Sequence, residues 1–501
     1  MRHAVGPRRG TGDRPRGARR PGAAQAAAAR PARRRGAGRP DGQVRRADSR
    51  HRAPRPRRAG LPPAPGAAPG PGPAAPPALA APAPPVDALP AVARFRALLG
   101  AGTGLSYRAA EPIDPATGSV RLLGATLARE GGKAEIETLT LDGLAEARIG
   151  AASAREVTLT LGDTTARIAR LELRGLAAPG GTPEALALDQ LRLEILTVEG
   201  DASFAIAEAV LEDYAAGRPG RLTLAGIDAL LPQAGLVDRV RVGRVALRGL
   251  DLPGSLSAMG SQTTPPRASA GYAMEIESLL GSLAGQPVGG FGSLRLQGDP
   301  PAGEIETGRL ALRDLRVEPS PPLEDWLRRL GYPALLADLT AESRYDRARG
   351  RLELGSLSLA GREMGVLGLS LALEGVTPEA AEAQDWEQLR LAGLALRLLD
   401  QSLLGRVARD AARQGRTTEA QVREGWARQA AAMLGAGPRG PAPGGIGPIL
   451  VALQRFLRGE AKEVEVTARP PQPVALGELP AALMGGAAAV QRVLGLGAVA
   501  R

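Results

Sequence analysis

The sequence predicts a mainly β protein with helices, of the α+β class. We expect a large, elongated, curved and mostly antiparallel sheet with a C-terminal helical segment. Between about residue 105 and residue 400, apolar and polar residues alternate with a period of two, which is typical of half-buried strands. After residue 400 the apolar residues recur at steps of three and four, which indicates amphipathic helices. Aromatic residues make up only 2% of the chain, so a core must be built from Leu, Val, Ile and Ala.

The first part of the chain differs from the rest in composition. Residues 1–86 are rich in Arg, Pro, Ala and Gly and show no periodicity, which predicts a disordered tail or a wrongly assigned start. Residues 1–60 carry 19 Arg against 3 Asp, which leaves 45 basic and 49 acidic residues for the remainder. The net charge of +12 therefore belongs to this tail, and we expect no nucleic-acid binding by the folded body. A basic arm for acidic polymers or anionic lipid is the alternative interpretation.

No export signal or membrane span is expected from the sequence as written. Ala78-Leu79-Ala80 has the form of a signal-peptidase site, but the Pro-rich segment before it cannot serve as the apolar region of a signal peptide. No run of 18 or more apolar residues occurs, so we expect no transmembrane helix.

The first predicted element of the folded part is a short amphipathic helix from Ala91 to Leu99, ending at Gly100. Strands follow, and a six-residue motif recurs in them with apolar residues at its first, third and sixth positions. An apolar residue often stands three positions before the motif as well. Counted from that earlier residue, the apolar positions have offsets 0, 3, 5 and 8. The step of three predicts a bulge or bend, and the Gly at offset 7 predicts a positive φ where the strand ends in a tight turn. The motif reads LTLDGL (139–144), LELRGL (171–176), LTLAGI (222–227), VALRGL (245–250), LALRDL (310–315) and LRLAGL (389–394). The glycines in question are Gly143, Gly175, Gly226, Gly249 and Gly393. The irregular spacing of these copies excludes a leucine-rich solenoid and favours one large sheet.

Helices are predicted in two places. Ser320 and Pro321 open a helix that Gly331 ends. Within 402–458, Gly415 ends one helix, Thr418 and Gln421 form a capping box for the next, and a third begins at Pro448. A strand is expected at 463–470, and the segment 478–498 is a docked or an interfacial helix. The predicted organisation is a tail (1–86), a β-rich repeat-like domain (87–400), a helical segment returning to a strand (401–477) and an apolar C-terminal segment (478–501).

The residues exclude several kinds of chemistry. Past residue 51 the chain contains no His and no Cys, which excludes zinc sites and His-based triads in the folded part. We therefore assign no catalytic residue, no metal ligand and no cofactor. Two carboxylate pairs, Glu212-Asp213 and Glu324-Asp325, are the remaining candidates for acid–base work, with exposed charge as the ordinary explanation. The three tryptophans, Trp326, Trp386 and Trp426, are interpreted as core residues.

One strand indicates a possible binding surface. In LRLEILTVEG, strict alternation places Leu191, Leu193 and Ile195 on one side of the sheet and Leu196 and Val198 on the other. A sheet that is apolar on both sides must either close on itself or leave an apolar groove. These five residues are our candidate groove.

Three features together resemble a known type of protein. They are the L-x-L-x-G-L strands, the segment YPALLADLTAESRYDRARGRLELGSLSLAGREMGVLGLSLALEGV (332–376), and LRLLDQSLLGRVARDAARQG (396–415) leading to VEVTARPPQPV (464–474). Over residues 105–475 the chain resembles uncharacterised Gram-negative envelope proteins of the broad AsmA-like or YdgA-like type. The resemblance implies a β-rich protein without known catalysis, located in the periplasm or at the periphery of the inner membrane. It also implies lipid, or the inner-membrane surface, as a partner.

The expected function is accordingly that of a non-enzymatic β-rich envelope protein with a structural or lipid-handling role. Two alternatives remain open. One is a cytosolic scaffold with a basic arm, for which the location would be cytoplasmic. The other is a carbohydrate-active β protein that uses paired carboxylates, which the scarcity of aromatic rings disfavours.

Overall fold

The computed structural model describes residues 89–501 except for gaps at 101, 115–117, 178–184, 201–202, 232–234, 264–265, 322, 383–385 and 435–445. The predictions for residues 1–86, including the Ala78-Leu79-Ala80 site, lie outside the described residues.

The described chain forms one large, curved, open antiparallel sheet of 20 strands, with helices that are mostly C-terminal. The predicted α+β fold class is thereby confirmed. The strands are β1 (Gly104–Ser106), β2 (Ala109–Asp114), β3 (Ser119–Arg129), β4 (Gly132–Ala145), β5 (Arg148–Leu161), β6 (Thr164–Ala177), β7 (Leu188–Glu199), β8 (Ser203–Tyr214), β9 (Gly220–Leu230), β10 (Arg239–Leu250), β11 (Tyr272–Leu283), β12 (Gln286–Gly298), β13 (Ile305–Val317), β14 (Leu335–Asp346), β15 (Arg351–Gly361), β16 (Gly365–Glu374), β17 (Arg390–Asp400), β18 (Glu463–Ala468), β19 (Val474–Ala475) and β20 (Leu496–Ala500). The helices are α1 (Pro90–Leu99), α2 (Leu252–Ser261), α3 (Leu323–Leu330), α4 (Pro378–Glu382), α5 (Leu403–Gly415), α6 (Glu419–Met433), α7 (Gly447–Arg458), α8 (Leu479–Met484) and α9 (Ala487–Leu494).

The sheet is a meander. From β3 to β17 every strand pairs with the next strand in sequence, always antiparallel. β1 and β2 pair with β3 at one end, while β18 and β19 pair with β17 at the other, and β20 pairs with β18. Since each strand finds its partner locally, hairpin connections alone build most of the sheet.

A line of irregular backbone, which we call the first crease, crosses the sheet from β3 to β13. Along this line the regular pairing between neighbouring strands is interrupted. Every second strand has a residue with positive φ at the interruption. The positive-φ residues are Gly124, Glu156, Ile195, Gly226, Ser278 and Asp314. The crease interrupts the two-residue alternation, so Ile136 and Leu139, three positions apart on β4, are both buried in one cluster. The predicted bend at the step of three is confirmed.

A second crease runs parallel to the first, from β4 to β10, and has positive-φ residues at Gly143, Gly175, Asp213 and Gly249. The predicted tight turn at the motif glycine is wrong, because the strand continues beyond it: Leu144 and Ala145 still pair with β5. Gly226 lies on the first crease instead, and Gly393 is not among the glycines with positive φ. The motif is therefore a creased strand and not a strand end.

The helices predicted before residue 460 are confirmed. α1 ends at Gly100, and α3 ends at Gly331, each with positive φ at the glycine. Thr418 and Gln421 form the predicted capping box of α6. The C-terminal segment departs from expectation. It contains two short helices followed by β20, which was not predicted because its Gly-rich sequence becomes a strand only through pairing with β18.

In the part of the chain that the structure describes, four clusters of buried apolar residues form the core, and each includes a helix. α1 packs on β3 and β4 in a cluster that extends to β7, α2 shares a cluster with β7 to β9, α3 packs against α5, and α7 packs with β17, β18 and β20. Among the residues that the structure describes, none of the helices has both the length and the apolar composition needed to cross a membrane.

An ion pair accompanies the backbone ladder between β17 and β18. Arg397 donates hydrogen bonds from Nε and from an Nη to the two carboxylate oxygens of Glu463, both at 2.9 Å. This pairing lowers the pKa of Glu463 below its ordinary value, and Arg501 adds to the effect. A lowered pKa means that the pair stabilises the fold above the unfolded-state pKa, and that this stability is lost as the pH falls through the folded-state pKa.

We expect Glu463→Gln to destabilise the protein at pH 7, and we expect this defect to shrink as the pH falls towards 3, because protonation of wild-type Glu463 progressively removes the ion pair. Urea midpoints of both proteins at pH 7, 5 and 3 measure this difference. Glu146→Gln, in the exposed turn between β4 and β5, is the control and should show no such convergence. A Glu463→Gln defect of equal size at pH 3 and pH 7 would contradict the assignment.

Candidate functional site

The sheet has one charged face. Ion pairs join neighbouring strands on it, such as Arg192 of β7 with Glu208 of β8 at 2.8 Å, and Arg351 of β15 with Glu374 of β16 at 3.1 Å. Side chains in these pairs are 34–45% exposed. Partly exposed pairs of this kind add little stability, but they show that this face is hydrated.

The opposite face carries a continuous line of apolar side chains, which we call the apolar row. Directly facing residues of antiparallel strands share a face, so the pairing register can be followed from strand to strand across the sheet. The row consists of Ala110, Leu122, Leu139, Ala154, Leu171, Leu193, Ala209, Leu224, Val245, Ile276, Leu294, Leu312, Leu339, Leu359, Leu367, Leu398, Val464 and Ala500. Every member is apolar. Neighbouring strands are about 4.8 Å apart, so the part from Leu171 to Leu398 spans roughly 50 Å.

Burial varies along the apolar row. Near its ends Leu122 and Val464 are essentially inaccessible to solvent, under α1 and α7 respectively. Between Leu171 and Leu398 the members are half-buried, and Leu359 is 38% exposed. The central part of the row is therefore an apolar surface that the protein only partly covers.

A cavity lies where the central row meets the C-terminal helices. It has a volume of about 360 Å³, within the roughly 300–1,000 Å³ of small-molecule sites. Leu359, Leu367 and Leu398 of the row line it from the sheet. Leu403 and Leu404 of α5 and Phe456 of α7 are among the residues that line it from the helices. Apart from Asp400, all its lining residues are apolar or glycine.

Four of the five predicted groove residues lie on one face of the sheet and are not divided between two faces. Leu193 and Leu196 pack against the same buried cluster, and Leu191 and Val198 lie two residues from them on the same face. Ile195 is 60% exposed and has φ of 53°, because the first crease passes through it. Strict alternation failed here because one residue at positive φ shifts the alternation of all the residues that follow.

The carboxylate pairs lie in ordinary ion-pairing surroundings. Glu212 accepts a hydrogen bond from Arg221 at 3.1 Å, and its neighbour Asp213 is a positive-φ residue of the second crease. Glu324 and Asp325 both bind the guanidinium of Arg328 in the next turn of α3. Each pair thus shows the exposed-charge arrangement that was the alternative to acid–base chemistry.

The tryptophans differ from one another. Trp326 packs against the cluster between α3 and α5, as predicted. Trp386 is 59% exposed in a short 3₁₀ turn, so its interpretation as a core residue is wrong. Trp426 is half-buried on α6.

A second concave site was missed by the sequence analysis. Arg329 of α3 and Arg406, Arg409 and Arg413 of α5 line a pocket of about 240 Å³ together with Leu330, Ser402 and Asp410. The sequence did contain part of the signal for this pocket, since Arg406, Arg409 and Arg413 follow the spacing of one helix face. Within the described part of the chain, no group of three or more His, Cys, Asp or Glu residues is placed to hold a metal ion.

Comparison with known proteins relates the C-terminal part of the chain to a protein family. A family model described as "Uncharacterized protein" matches residues 358–501. That segment begins within β15, continues to the C-terminus, and includes α5 and α7. No curated protein matches the chain.

Proposed function

We propose that the chain is a non-enzymatic, β-rich envelope protein that holds the acyl chains of lipid along the central apolar row. The observation that carries the proposal is the row itself, in which strand after strand contributes an apolar, half-buried residue. Burial of apolar area from water is favourable by about 25 cal/mol per Å². Contiguous apolar patches beyond a few hundred Å² mark binding surfaces on soluble domains.

The chemistry of the row favours an acyl chain over a peptide. A peptide that crossed the strands would need partners for its backbone N–H and C=O groups. The strands already use their own backbone groups in ladder pairing with their neighbours, and the row has no polar side chain. An acyl chain needs no hydrogen bonds, and it is flexible enough to follow a curved surface. The location in the envelope is supported by the resemblance to AsmA-like and YdgA-like proteins.

Substitution of a central row residue by a charged one tests the proposal. The full-length protein purified from a Gram-negative host is expected to carry lipid that native mass spectrometry detects. We expect Leu312→Glu to reduce the lipid-bound fraction by at least about tenfold, because an acyl chain cannot solvate a carboxylate.

Ala311→Glu is the matched control. Ala311 precedes Leu312 on β13 and faces Arg295 on the opposite side of the sheet, so the same charge is added away from the row. This variant should retain its lipid, and circular dichroism should show that both variants are folded. Lipid-free wild-type protein, or unchanged lipid in folded Leu312→Glu, would refute the proposal.

A further inference from the structure

The arginine-lined pocket at α3 and α5 is built around one fixed guanidinium. Arg406 lies over the ring of Tyr332, with 4.1 Å between its guanidinium carbon and the ring centre. It donates to the carbonyl oxygens of Leu330 at 3.1 Å and Gly331 at 2.7 Å. The hydroxyl of Tyr332 in turn contacts that of Ser402 at 2.9 Å. A guanidinium held by stacking and by carbonyl groups loses little further freedom when it binds an anion.

The pocket has an excess of positive charge. Its four arginines are opposed by one lining carboxylate, Asp410, whose contact with Arg329 is long at 3.9 Å and which also accepts from Gln414. Glu363, 73% exposed, approaches Arg406 at 3.6 Å from outside the lining. Within the described residues, Arg409 and Arg413 have no carboxylate at ion-pairing distance. Planar guanidinium groups that converge on one space fit the oxygens of a phosphate, which they bind by charge-assisted hydrogen bonds.

The start of α5 contributes neighbouring residues to the arginine pocket and to the apolar cavity. Ser402 and Arg406 line the arginine pocket, whereas Leu403 and Leu404 line the cavity at the end of the apolar row. Consecutive residues of one helix turn therefore present a cationic site and an apolar site. A ligand that used both would have an anionic head and an apolar body.

We infer that the arginine pocket binds the phosphate of an anionic phospholipid whose acyl chains enter the adjoining cavity. The inference rests on the proposed function, because it assumes that the apolar row and its cavity hold acyl chains. It adds that the protein prefers certain lipid headgroups and that the arginine pocket determines this preference. The net positive lining favours a lipid of net negative charge over a zwitterionic one.

Calorimetric titration of the full-length protein with short-chain lipids tests the inference. We expect dihexanoyl phosphatidylglycerol to bind about tenfold more tightly than dihexanoyl phosphatidylcholine, because both carry the phosphate but only the second carries a choline cation, which the net positive lining repels. Arg413→Glu should abolish this preference, because it weakens phosphatidylglycerol binding more than phosphatidylcholine binding. Arg409→Gln, which removes a charge without reversing it, should reduce the preference. Arg428→Glu, an equal charge change at an exposed position on α6 outside the pocket, should keep it.

The outcomes separate the inference from the proposed function. Equal binding of both lipids by the wild-type protein, or a preference that survives Arg413→Glu, overturns the headgroup site and leaves the acyl-chain proposal standing. Absence of binding by either lipid overturns both. Inorganic phosphate is titrated in parallel. If it binds as tightly as phosphatidylglycerol and loses that affinity in Arg413→Glu, the pocket is a site for free anions and the lipid assignment is wrong.

Discussion

Replacement of Gly249 by alanine is expected to lower the free energy of unfolding by about 2–5 kcal/mol, the largest loss we predict for a single added methyl group. Gly249 lies on the second crease with φ of 81°, in the left-handed region that costs an L-residue about 1–2 kcal/mol. A Cβ at this position would also lie 2.1 Å from the carbonyl oxygen of Gly271 and 2.9 Å from Cα of Tyr272. Both are backbone atoms that cannot rotate away, so β10 would have to separate from β11.

Gly162→Ala separates the conformational cost of positive φ from the cost of the close approach of the neighbouring strand. Gly162 has φ of 56° in the turn between β5 and β6, and a Cβ there would meet no atom within 4 Å. Its loss should be limited to the conformational cost of about 1–2 kcal/mol. Urea unfolding of both variants at neutral pH measures the difference. Equal losses would show that close approach of the strands contributes nothing at the second crease.

The creases explain which parts of the fold were open to prediction. The step of three in the L-x-L-x-G-L motif is a local pattern, and it correctly indicated a bend between Ile136 and Leu139. The position of the second crease within the strand was not predictable from a glycine, which serves a turn and a crease equally well. Glu156 and Ile195 gave no signal at all. Within a paired strand, a non-glycine residue persists at positive φ only where the surrounding structure holds it there, and that constraint is a property of the assembled sheet.

The candidate site could also be predicted only in part from the sequence. Alternation within each strand predicted that one face is apolar, but the apolar row exists only once the register of every pairing is known. A one-residue error reverses the face, as the misplacement of Ile195, Leu196 and Val198 demonstrates. In the arginine pocket, the spacing of Arg406, Arg409 and Arg413 was visible in the sequence. Arg329, 77 positions before Arg406, joins them only through the packing of α3 on α5.

That packing depends on one side chain above others. Leu327 of α3 is completely buried and lies in a cluster with Leu330, Tyr332 and Met364, against which Leu403 and Val407 of α5 also pack. We expect Leu327→Ala to lower the free energy of unfolding by about 2–5 kcal/mol, since the cavity left in a fully buried site adds to the lost transfer energy. Urea unfolding at neutral pH measures the loss.

Leu256→Ala provides the matched comparison, because Leu256 lies on another short helix, α2, and is 56% exposed. Its loss should stay within about 0.5 kcal/mol, as for other surface substitutions. Leu327→Ala should also weaken the preference for phosphatidylglycerol, although Leu327 does not line the arginine pocket, because α3 positions Arg329. A folded Leu327→Ala protein with an undiminished preference for phosphatidylglycerol would show that α5 alone determines the headgroup preference. A loss no larger than that of Leu256→Ala would show that α3 is not held to α5 by this side chain.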